Sequence, residues 1–243
     1  IATLCDEDMR LHVDLHCAEG IIEPEEAVFC RQLGLDLVIT DHHACGAELP
    51  SAVAVVDPHR PGDAYPFKGL AGVGVALKVA MAVCGDAERE EVFDRCCDLA
   101  AVGTVADVMP LTDENRYIVA RGLSMLDHTE RPGLCALLDA ISGSGNSKSA
   151  SSGGKKPRRK VNSGLVGFGI APRINAAGRI AHAMMAVDLL LADTPEHAEE
   201  MAAELCAINT HRQAEENAIA EQAYAMIDAQ LADAQACGEA PPS

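Results

Sequence analysis

The sequence lacks a hydrophobic run long enough to cross a membrane. Lys78 ends the apolar run at residues 69–77, and Arg173 ends the run at residues 161–172, whereas a membrane-spanning helix needs about 20 apolar residues. The chain also begins at Ile1 without a basic segment followed by an apolar one, so no signal peptide is visible. We therefore expect no membrane association and a segment of a longer protein.

Basic residues are scarce as well. The chain has 19 Lys and Arg against 37 Asp and Glu, which gives a net charge of −18. Six of the basic residues and no acidic one lie within residues 142–164, so this stretch carries +6 and the rest of the chain sums to −24. Such a charge repels polyanions at long range and argues against a surface that coats nucleic acid non-specifically. It leaves room for a local basic or metal-lined groove.

The ten cysteines include no Cys-x-x-Cys pair. That spacing is typical of zinc ribbons and thioredoxin-like redox sites. Free cysteines are frequently core residues. We expect reduced, mostly buried thiols in a cytoplasmic protein.

The order of apolar segments and turn residues predicts an α/β fold with a mostly parallel, doubly wound sheet. Residues 11–15, 35–40 and 52–56 favour strands, and no strand is predicted before residue 11. Pro24 and Gly34 mark the start and the end of a helix at residues 23–33. Further helices are predicted at residues 70–83, 89–102, 114–126 and 132–141.

Composition suggests where the chain divides. The predicted parts are a core at residues 1–141, a Ser/Gly-rich and basic insertion at 142–164, the rest of the core at 165–194, a long acidic connecting helix at 195–236 and a disordered tail at 237–243. The insertion cannot bury enough apolar area to offset its ordering entropy, so we expect it to be disordered. Its Lys-Lys-Pro-Arg-Arg-Lys tract either contacts phosphate groups or is a solvated loop. Thr194 as N-cap and Pro195 at the first position start the connecting helix.

Acidic residues and histidines follow the predicted strands. Asp41, His42 and His43 come directly after the strand at residues 35–40, Asp14 ends the preceding strand, and Asp107 ends an apolar run at residues 99–106. The carboxyl ends of parallel strands share one edge, which is where α/β folds bind ligands. We expect these side chains to converge there.

Such a cluster of carboxylates calls for a cation. Two carboxylates 4 Å apart repel each other by about 4 kcal/mol at an effective dielectric near 20. Mg²⁺ and Mn²⁺ prefer carboxylate oxygen, and a neutral imidazole favours Mn²⁺ over Mg²⁺. Alternatively, the Asp-His-His tripeptide is a surface turn, and Asp107 caps the next turn.

Read in order, five stretches resemble successive motifs of the DHH phosphoesterases. They are residues 13–14, 37–60, 70–78, 98–119 and 169–191. Within them, GTVADVMPL at 103–111 and PRINAAGR at 172–179 resemble the RecJ-type branch of the family. The resemblance extends over residues 11–216 and is interrupted by the basic insertion.

The resemblance implies a two-metal phosphodiesterase that uses Mn²⁺ or Mg²⁺ and removes nucleotides from the 5′ end of single-stranded DNA, in DNA repair and recombination. It implies single-stranded DNA as the partner and leaves room for other repair proteins. By position, Asp14 would bridge the metals, while His42 and Asp107 would ligate one of them. His43 would face the scissile phosphate, and Asp41 would orient a histidine ring from behind.

The PRINAAGR-like motif supplies the candidate substrate-binding residues, which are Arg173, Asn175, Arg179 and His182. Arginines offer forked donors to phosphate. The alternative is a helix start whose arginines pair with local carboxylates.

Two further patterns carry weaker signals. The Gly-rich residues 69–74 resemble a phosphate-binding loop, but we interpret them as tight packing of a helix on the sheet. Asp57, His59 and Arg60 follow a strand, where one of them could touch substrate or metal indirectly.

The chain departs from the family pattern in three ways. It has no Asp-x-Asp motif on an earlier strand, since the acidic residues 6–8 are interpreted as a solvated run, and no carboxyl-terminal substrate domain. Three additional residues follow Asp14, which would permit an alternative ligand set of His12, Asp14 and His16 on one strand face. We therefore expect an exonuclease fragment with weak or no activity alone. The alternatives are an inactive RecJ-like binding module and a small-nucleotide phosphodiesterase or pyrophosphatase.

Overall fold

The computed structural model describes residues 2–6, 9–14, 24–46, 48–143, 160–180 and 182–237. Of those up to residue 26, and of 179, 180 and 232–237, only the backbone is described. The chain divides into two compact units, one formed by Ile1–Thr129 with Arg159–Ala171 and the other by Glu130–Arg158 with Pro172–Ser243. This division follows packing, whereas the boundaries predicted at residues 141, 164, 194 and 236 follow composition and stay a prediction. Most of the predicted insertion (144–159) and the tail beyond residue 237 lie outside the described residues.

In the described part of the first unit, four strands form one sheet. Its order is β1 (Ala2–Asp6), β2 (Met9–Asp14), β3 (Asp36–Thr40) and β4 (Ala54–Val56). β2, β3 and β4 are parallel, which confirms the predicted mostly parallel sheet. β1 pairs antiparallel with β2, with Asp6 opposite Met9. The expectation of no strand before residue 11 is therefore wrong, because the pairing of β1 with β2 is a tertiary contact that an acidic local sequence does not exclude.

The described helices are, in chain order, α1 (Pro24–Gln32), α2 (Gly72–Cys84), α3 (Arg89–Ala106), α4 (Asp113–Leu126), α5 (Pro132–Gly143), α6 (Ser163–Leu165), α7 (Ala171–Ile180), α8 (Met184–Leu190) and α9 (Pro195–Cys237). A π turn at Val166–Ile170 joins α6 to α7. None of these helices is both long enough and apolar enough to span a bilayer.

Strand register places the ends of β2, β3 and β4 at one edge of the sheet. Asp14 lies opposite Ile39, and Thr40 lies opposite Val56. The connection from β2 to β3 contains α1, whose buried Ala27 packs with Leu37 and Ile39. The β-α-β unit therefore brings the carboxyl ends of β2 and β3 side by side, as predicted.

The helices α2, α3 and α4 pack around a second core of the first unit. Its buried members are Leu70, Val75, Leu77, Cys97, Ala100 and Ile118. α3 continues four residues past its predicted end at residue 102, so the run at residues 99–106 is helical. Asp107 therefore follows a helix and not a strand, which corrects the expectation that it ends a run at the sheet edge. A short apolar run is compatible with either element.

The second unit contains the long helix α9, which confirms the predicted carboxyl-terminal helix. Its first half packs on α5 and α8. Leu205 of the predicted apolar stripe is fully buried, and Met201 and Ile208 are half-buried. Residues 213–230 are exposed, so packing within this unit fixes only the first half of the helix.

The cysteines correct one expectation. The structure records seven of them as free thiols, and of these only Cys97 is buried. Cys84 is exposed because it lies at the end of α2, where few neighbours cover it. The remaining five are half-buried: Cys30, Cys45, Cys96, Cys135 and Cys206.

Candidate metal centre

The tripeptide Asp41-His42-His43 leaves the sheet at the carboxyl end of β3. Asp41 still donates its backbone N–H to the Val56 carbonyl at 3.0 Å, which extends the pairing of β3 with β4. The side chain of Asp41 is buried, and its Oδ1 accepts hydrogen bonds from His42 N (2.7 Å), His43 N (3.1 Å) and His43 Nδ1 (2.7 Å). The strand end and these three bonds hold both histidines in place.

The charge of Asp41 sets the tautomer of His43. Burial raises the pKa of Asp41, but the hydrogen bonds from the His43 ring and from two backbone N–H groups outweigh burial, so the pKa is lowered. Asp41 is thus an ionised acceptor at neutral pH. A carboxylate only accepts, so His43 Nδ1 carries a hydrogen, and Nε2 of a neutral ring keeps its lone pair. Because the His43 side chain is 34% exposed, a ligand can reach the ring.

His42 lies between the start of α2 and Asp107. Its ring centroid is 4.3 Å from that of His43, and its side chain is only 9% exposed. A Cβ at Gly72 would lie 3.4 Å from His42 Cδ2, so the ring packs on the backbone where α2 begins. On the other side, His42 Nε2 is 3.4 Å from Asp107 Oδ2. A neutral imidazole nitrogen and a carboxylate oxygen both present lone pairs, so these atoms need a proton or a cation between them.

Asp107 reaches the cluster from the end of α3. Its backbone N–H donates to the Gly103 carbonyl at 2.9 Å, which closes the helix, and its side chain is 44% exposed. Val108, the next residue, has a positive φ of 56°. This sharp turn carries the chain away from the helix axis and leaves the Asp107 carboxylate beside His42.

Asp14 is placed by its backbone alone. It is the last residue of β2, two positions before Asp41 in the parallel register, since it pairs with Ile39. This position at the sheet edge is the predicted one, and the role of the carboxylate stays a prediction. His12 also lies in β2, whereas His16 of the alternative ligand set lies outside the described residues.

The donor set fits a divalent cation. Asp41, His42 and His43 each offer a ligand atom, and these atoms lie within 4.8 Å of one another. Asp107 Oδ2 adds a further carboxylate oxygen 3.4 Å from His42 Nε2. Mg²⁺ binds oxygen at about 2.1 Å. Two ligand atoms of one cation can therefore be 3.4 Å apart, as His42 Nε2 and Asp107 Oδ2 are. Carboxylates with imidazoles suit Mn²⁺ in particular.

A second buried carboxylate braces the loop that follows the tripeptide. Asp57 is 2% exposed; its Oδ2 accepts from Cys45 Sγ at 3.0 Å, and its Oδ1 accepts from His59 N at 2.8 Å. Burial, together with the nearby charge of Asp57, raises the pKa of Cys45 to about 12, so the thiol keeps its hydrogen and donates. The sequence pointed to Asp57, His59 and Arg60 but not to Cys45. The structure gives them a local bracing role: Arg60 Nη1 donates to the Val55 carbonyl at 3.1 Å.

The PRINAAGR motif belongs to the second unit. Arg173 is half-buried, and its Nε donates to Cys206 Sγ on α9 at 3.2 Å. Asn175 and His182 are exposed, and Arg179 lies in α7 with only its backbone described. Substrate binding by these four residues stays a prediction.

Two neighbours of the site were not assigned to it from the sequence. Gly72 was interpreted as packing only, yet it leaves room for the His42 ring. Asn115 has no role in the sequence analysis, although its side chain is fully buried. A buried polar residue in the first turn of a helix is the signal that could have found it, because such groups require partners.

Three comparisons connect this geometry to known proteins. Residues 7–104, which include the Asp41-His42-His43 tripeptide, match the DHH family, N-terminal domain. The single-stranded-DNA-specific exonuclease RecJ of Bacillus subtilis (strain 168) is 44% identical over 214 residues, which are 88% of this chain and 25% of that protein. The crystal structure of RecJ from Thermus thermophilus with Mn²⁺ superimposes with a TM-score of 0.69 at 33% identity, over 87% of this chain and 29% of that one.

A second structure of the Thermus thermophilus protein, with Mg²⁺, has a TM-score of 0.56 at 30% identity and covers 82% of this chain and 31% of that one. The chain thus spans between a quarter and a third of the relatives to which it is compared. The domain match contains the tripeptide of the site, and the similarity to RecJ continues beyond it over most of the chain. Residues 7–104 therefore belong to the DHH family, N-terminal domain, and most of the chain is similar to RecJ exonucleases.

Proposed function

We propose that the chain is the metal-binding part of an exonuclease that removes nucleotides from the 5′ end of single-stranded DNA. The observation that carries this proposal is the approach of His42 Nε2 to Asp107 Oδ2, at 3.4 Å, beside the Asp41–His43 pair. The relatives are named as exonucleases specific for single-stranded DNA, and two solved structures of the Thermus thermophilus relative hold Mn²⁺ and Mg²⁺ respectively.

The proposed ligands are Asp14, His42 and Asp107, with Mn²⁺ or Mg²⁺ as the cofactor and two metals in the complete protein. When bound, these cations would screen the charge of the phosphodiester and activate a water molecule for attack on phosphorus. The protein's own contribution is a rigid set of donors. A strand end fixes His42, the end of α3 fixes Asp107, and Gly72 lets the imidazole approach the backbone closely.

His43 is proposed to contact the scissile phosphate. Asp41 holds its Nδ1–H, so Nε2 points away from that bond; it donates to a phosphate oxygen when it carries a hydrogen, and otherwise it offers its lone pair to a ligand. Replacing Asp41 by Asn would remove the ionised acceptor, and the ring would lose its fixed tautomer. Asp41 therefore acts through His43.

The motif of the second unit is proposed to hold the DNA backbone. Arg173, Arg179, Asn175 and His182 offer donors suited to phosphate oxygens. Single-stranded DNA is the proposed partner, and we extend the proposal to other repair proteins and to a cytoplasmic location, where free thiols such as those recorded here stay reduced.

A nuclease assay tests the function. The 243-residue chain is incubated with 5′-labelled single-stranded DNA and Mn²⁺, with an unlabelled dinucleotide as competitor. We expect slow, Mn²⁺-dependent release of labelled 5′ nucleotides, reduced by about 100-fold or more by Asp107→Ala. Asp86→Ala is the control, because this carboxylate is 90% exposed and pairs only with Arg89 among the described contacts.

Three outcomes would redirect the proposal. Retained turnover in Asp107→Ala would show that the site is misplaced. A strong preference for the dinucleotide would favour the small-nucleotide enzyme. A folded chain that neither binds Mn²⁺ nor cleaves DNA would favour an inactive binding module.

A further inference from the structure

A buried amide lies behind the proposed metal centre. Asn115, in the first turn of α4, has no exposed surface. Its Nδ2 donates to the Gly69 carbonyl at 2.5 Å and to the Pro110 carbonyl at 3.0 Å. Both amide hydrogens are thus used on two backbone segments that lie 46 and 5 residues away in sequence.

Each of these two segments leads to a residue that lies beside His42. Gly69 lies three residues before Gly72, whose backbone supports the His42 ring. Pro110 lies three residues after Asp107, whose Oδ2 is 3.4 Å from His42 Nε2. The Asn115 side chain therefore connects the backbone before α2 to the backbone after α3, and His42 lies between these two segments.

The segment between Asp107 and α4 needs such a restraint. Val108 has a φ of 56° and Asp113 a φ of 42°, in the left-handed region that a β-branched residue such as valine rarely adopts. A strained backbone persists only where its surroundings over-determine it. Local bonds from Val108 N to Val105 O (3.1 Å) and from Met109 N to Thr104 O (3.2 Å) fix the start of this segment, and Asn115 fixes Pro110.

The orientation of the amide is also determined. Asn115 Oδ1 is buried and finds no hydrogen-bond partner among the described residues, while Nδ2 faces two carbonyl oxygens. Flipping the amide would put oxygen against oxygen twice, so the side chain must act as a double donor. An aspartate has nearly the same shape but lacks these hydrogens.

We propose that Asn115 is a positioning residue that sets the separation of Asp107 from His42 by holding the Gly69 and Pro110 carbonyls. The inference rests on the proposed metal site and deepens it, because Asn115 bonds to two backbone carbonyls and acts on the ligand residues through them. Its removal should let the segment at residues 107–112 move away from the start of α2.

Hydrogen exchange of the 243-residue chain, measured without metal, tests whether Asn115 holds the two backbone segments in place. We expect Asn115→Ala to accelerate exchange of the amides at residues 107–109 by about tenfold or more relative to the rest of the first unit, because two hydrogen bonds from a buried donor are lost. The matched control is Val119→Ala, a buried position of the same helix. It should lower global stability without this local change.

Calorimetric titration with MnCl₂ tests the consequence for the site. Asn115→Ala and Asn115→Asp should each weaken Mn²⁺ binding by about tenfold, whereas Val119→Ala should change it by less than about twofold. If Asn115→Ala does not fold, Asn115→Ser keeps one donor and should give an intermediate effect in both measurements.

The outcomes separate this inference from the proposed function. Unchanged exchange at residues 107–109 in a folded Asn115 variant, or equal Mn²⁺ affinity in the Asn115 and Val119 variants, would overturn the positioning role. Absence of Mn²⁺ binding by the unsubstituted chain would instead contradict the proposed function. The exchange experiment would still decide whether Asn115 holds the two segments in place.

Discussion

At the scale of single residues, Glu114 shows how a partly buried charge is held at the start of α4. It accepts a hydrogen bond from Tyr65 Oη at 2.7 Å and forms an ion pair with Lys78. Burial raises the pKa of Glu114, but the bonds from Lys78 and Tyr65 outweigh burial, so the net shift is downward. For Lys78, burial lowers the pKa, but the hydrogen bonds to Glu114 and Tyr65 and the charges of these two groups together outweigh burial, so the net shift is upward.

These shifts predict a pH window for stability. A carboxylate with a lowered pKa stabilises the fold above its unfolded pKa, and this contribution disappears as the pH falls through the folded value. The contribution of Lys78 is present below its unfolded pKa and is lost as the pH rises through its raised value. Glu114→Gln should therefore cost about 1 kcal/mol near pH 7, discounted for the partly exposed pair. Urea unfolding should show this difference shrinking toward zero below about pH 4; a constant difference down to about pH 3 would contradict the assignment.

Val108 is predicted to be a strained position. Its side chain is 87% exposed, so it contributes little packing, while its φ of 56° disfavours a β-branched residue. Val108→Gly should raise the free energy of unfolding by about 0.5–1 kcal/mol. Thermal unfolding of Val108→Gly beside Val83→Gly, which is also exposed but helical, would check this. Destabilisation by both substitutions would argue against strain at Val108.

The residues of the site differ in how far the sequence reveals them. Asp41, His42 and His43 are local to one strand end, so a strand prediction is enough to place them. Asp107 is recognisable as a residue, but the apolar run before it does not distinguish helix from strand. The role of Asn115 depends on Gly69, which is 46 positions away, and no local pattern specifies such a contact.

At the scale of elements, the contact between α3 and α4 has almost no spare room. A Cβ at Gly122 would lie 2.3 Å from Ala101 Cβ and 2.5 Å from the Cys97 carbonyl oxygen. Because backbone atoms cannot rotate away, Gly122→Ala should lower the free energy of unfolding by about 3 kcal/mol. Gly178→Ala is the control, since a Cβ there has open space and alanine favours the helix by about 0.5–1 kcal/mol. Chemical denaturation of both variants measures the two changes in the free energy of unfolding. Equal changes would show that α3 and α4 can move apart at little cost in free energy.

Most elements of the fold follow from local signals. Helix starts such as Pro24 and Pro195 were predicted from their capping residues, and the structure starts α1 and α9 there. The antiparallel strand β1 was missed because its acidic end suggested solvent. β1 is stabilised by its pairing with β2, and amino-acid composition does not predict this tertiary contact.

At the scale of the whole molecule, charge and composition suit a cation-dependent function. The net charge of −18 repels DNA at long range. Divalent cations held by carboxylates would neutralise part of this charge where a phosphate must approach. The chain spans a quarter to a third of the RecJ proteins with which it was compared, and metal binding is therefore the part of their reaction that we propose for it.

The binding of one cation by Asp14, His42 and Asp107 together is the proposal on which the others rest. Isothermal titration of the chain with MnCl₂ measures it directly, using Asp107→Asn and His42→Ala with Asp86→Asn as the surface control. We expect Mn²⁺ binding by the unsubstituted chain and by Asp86→Asn, and binding weaker by about tenfold or more in the other two variants. Equal Mn²⁺ affinity in all four proteins would contradict it.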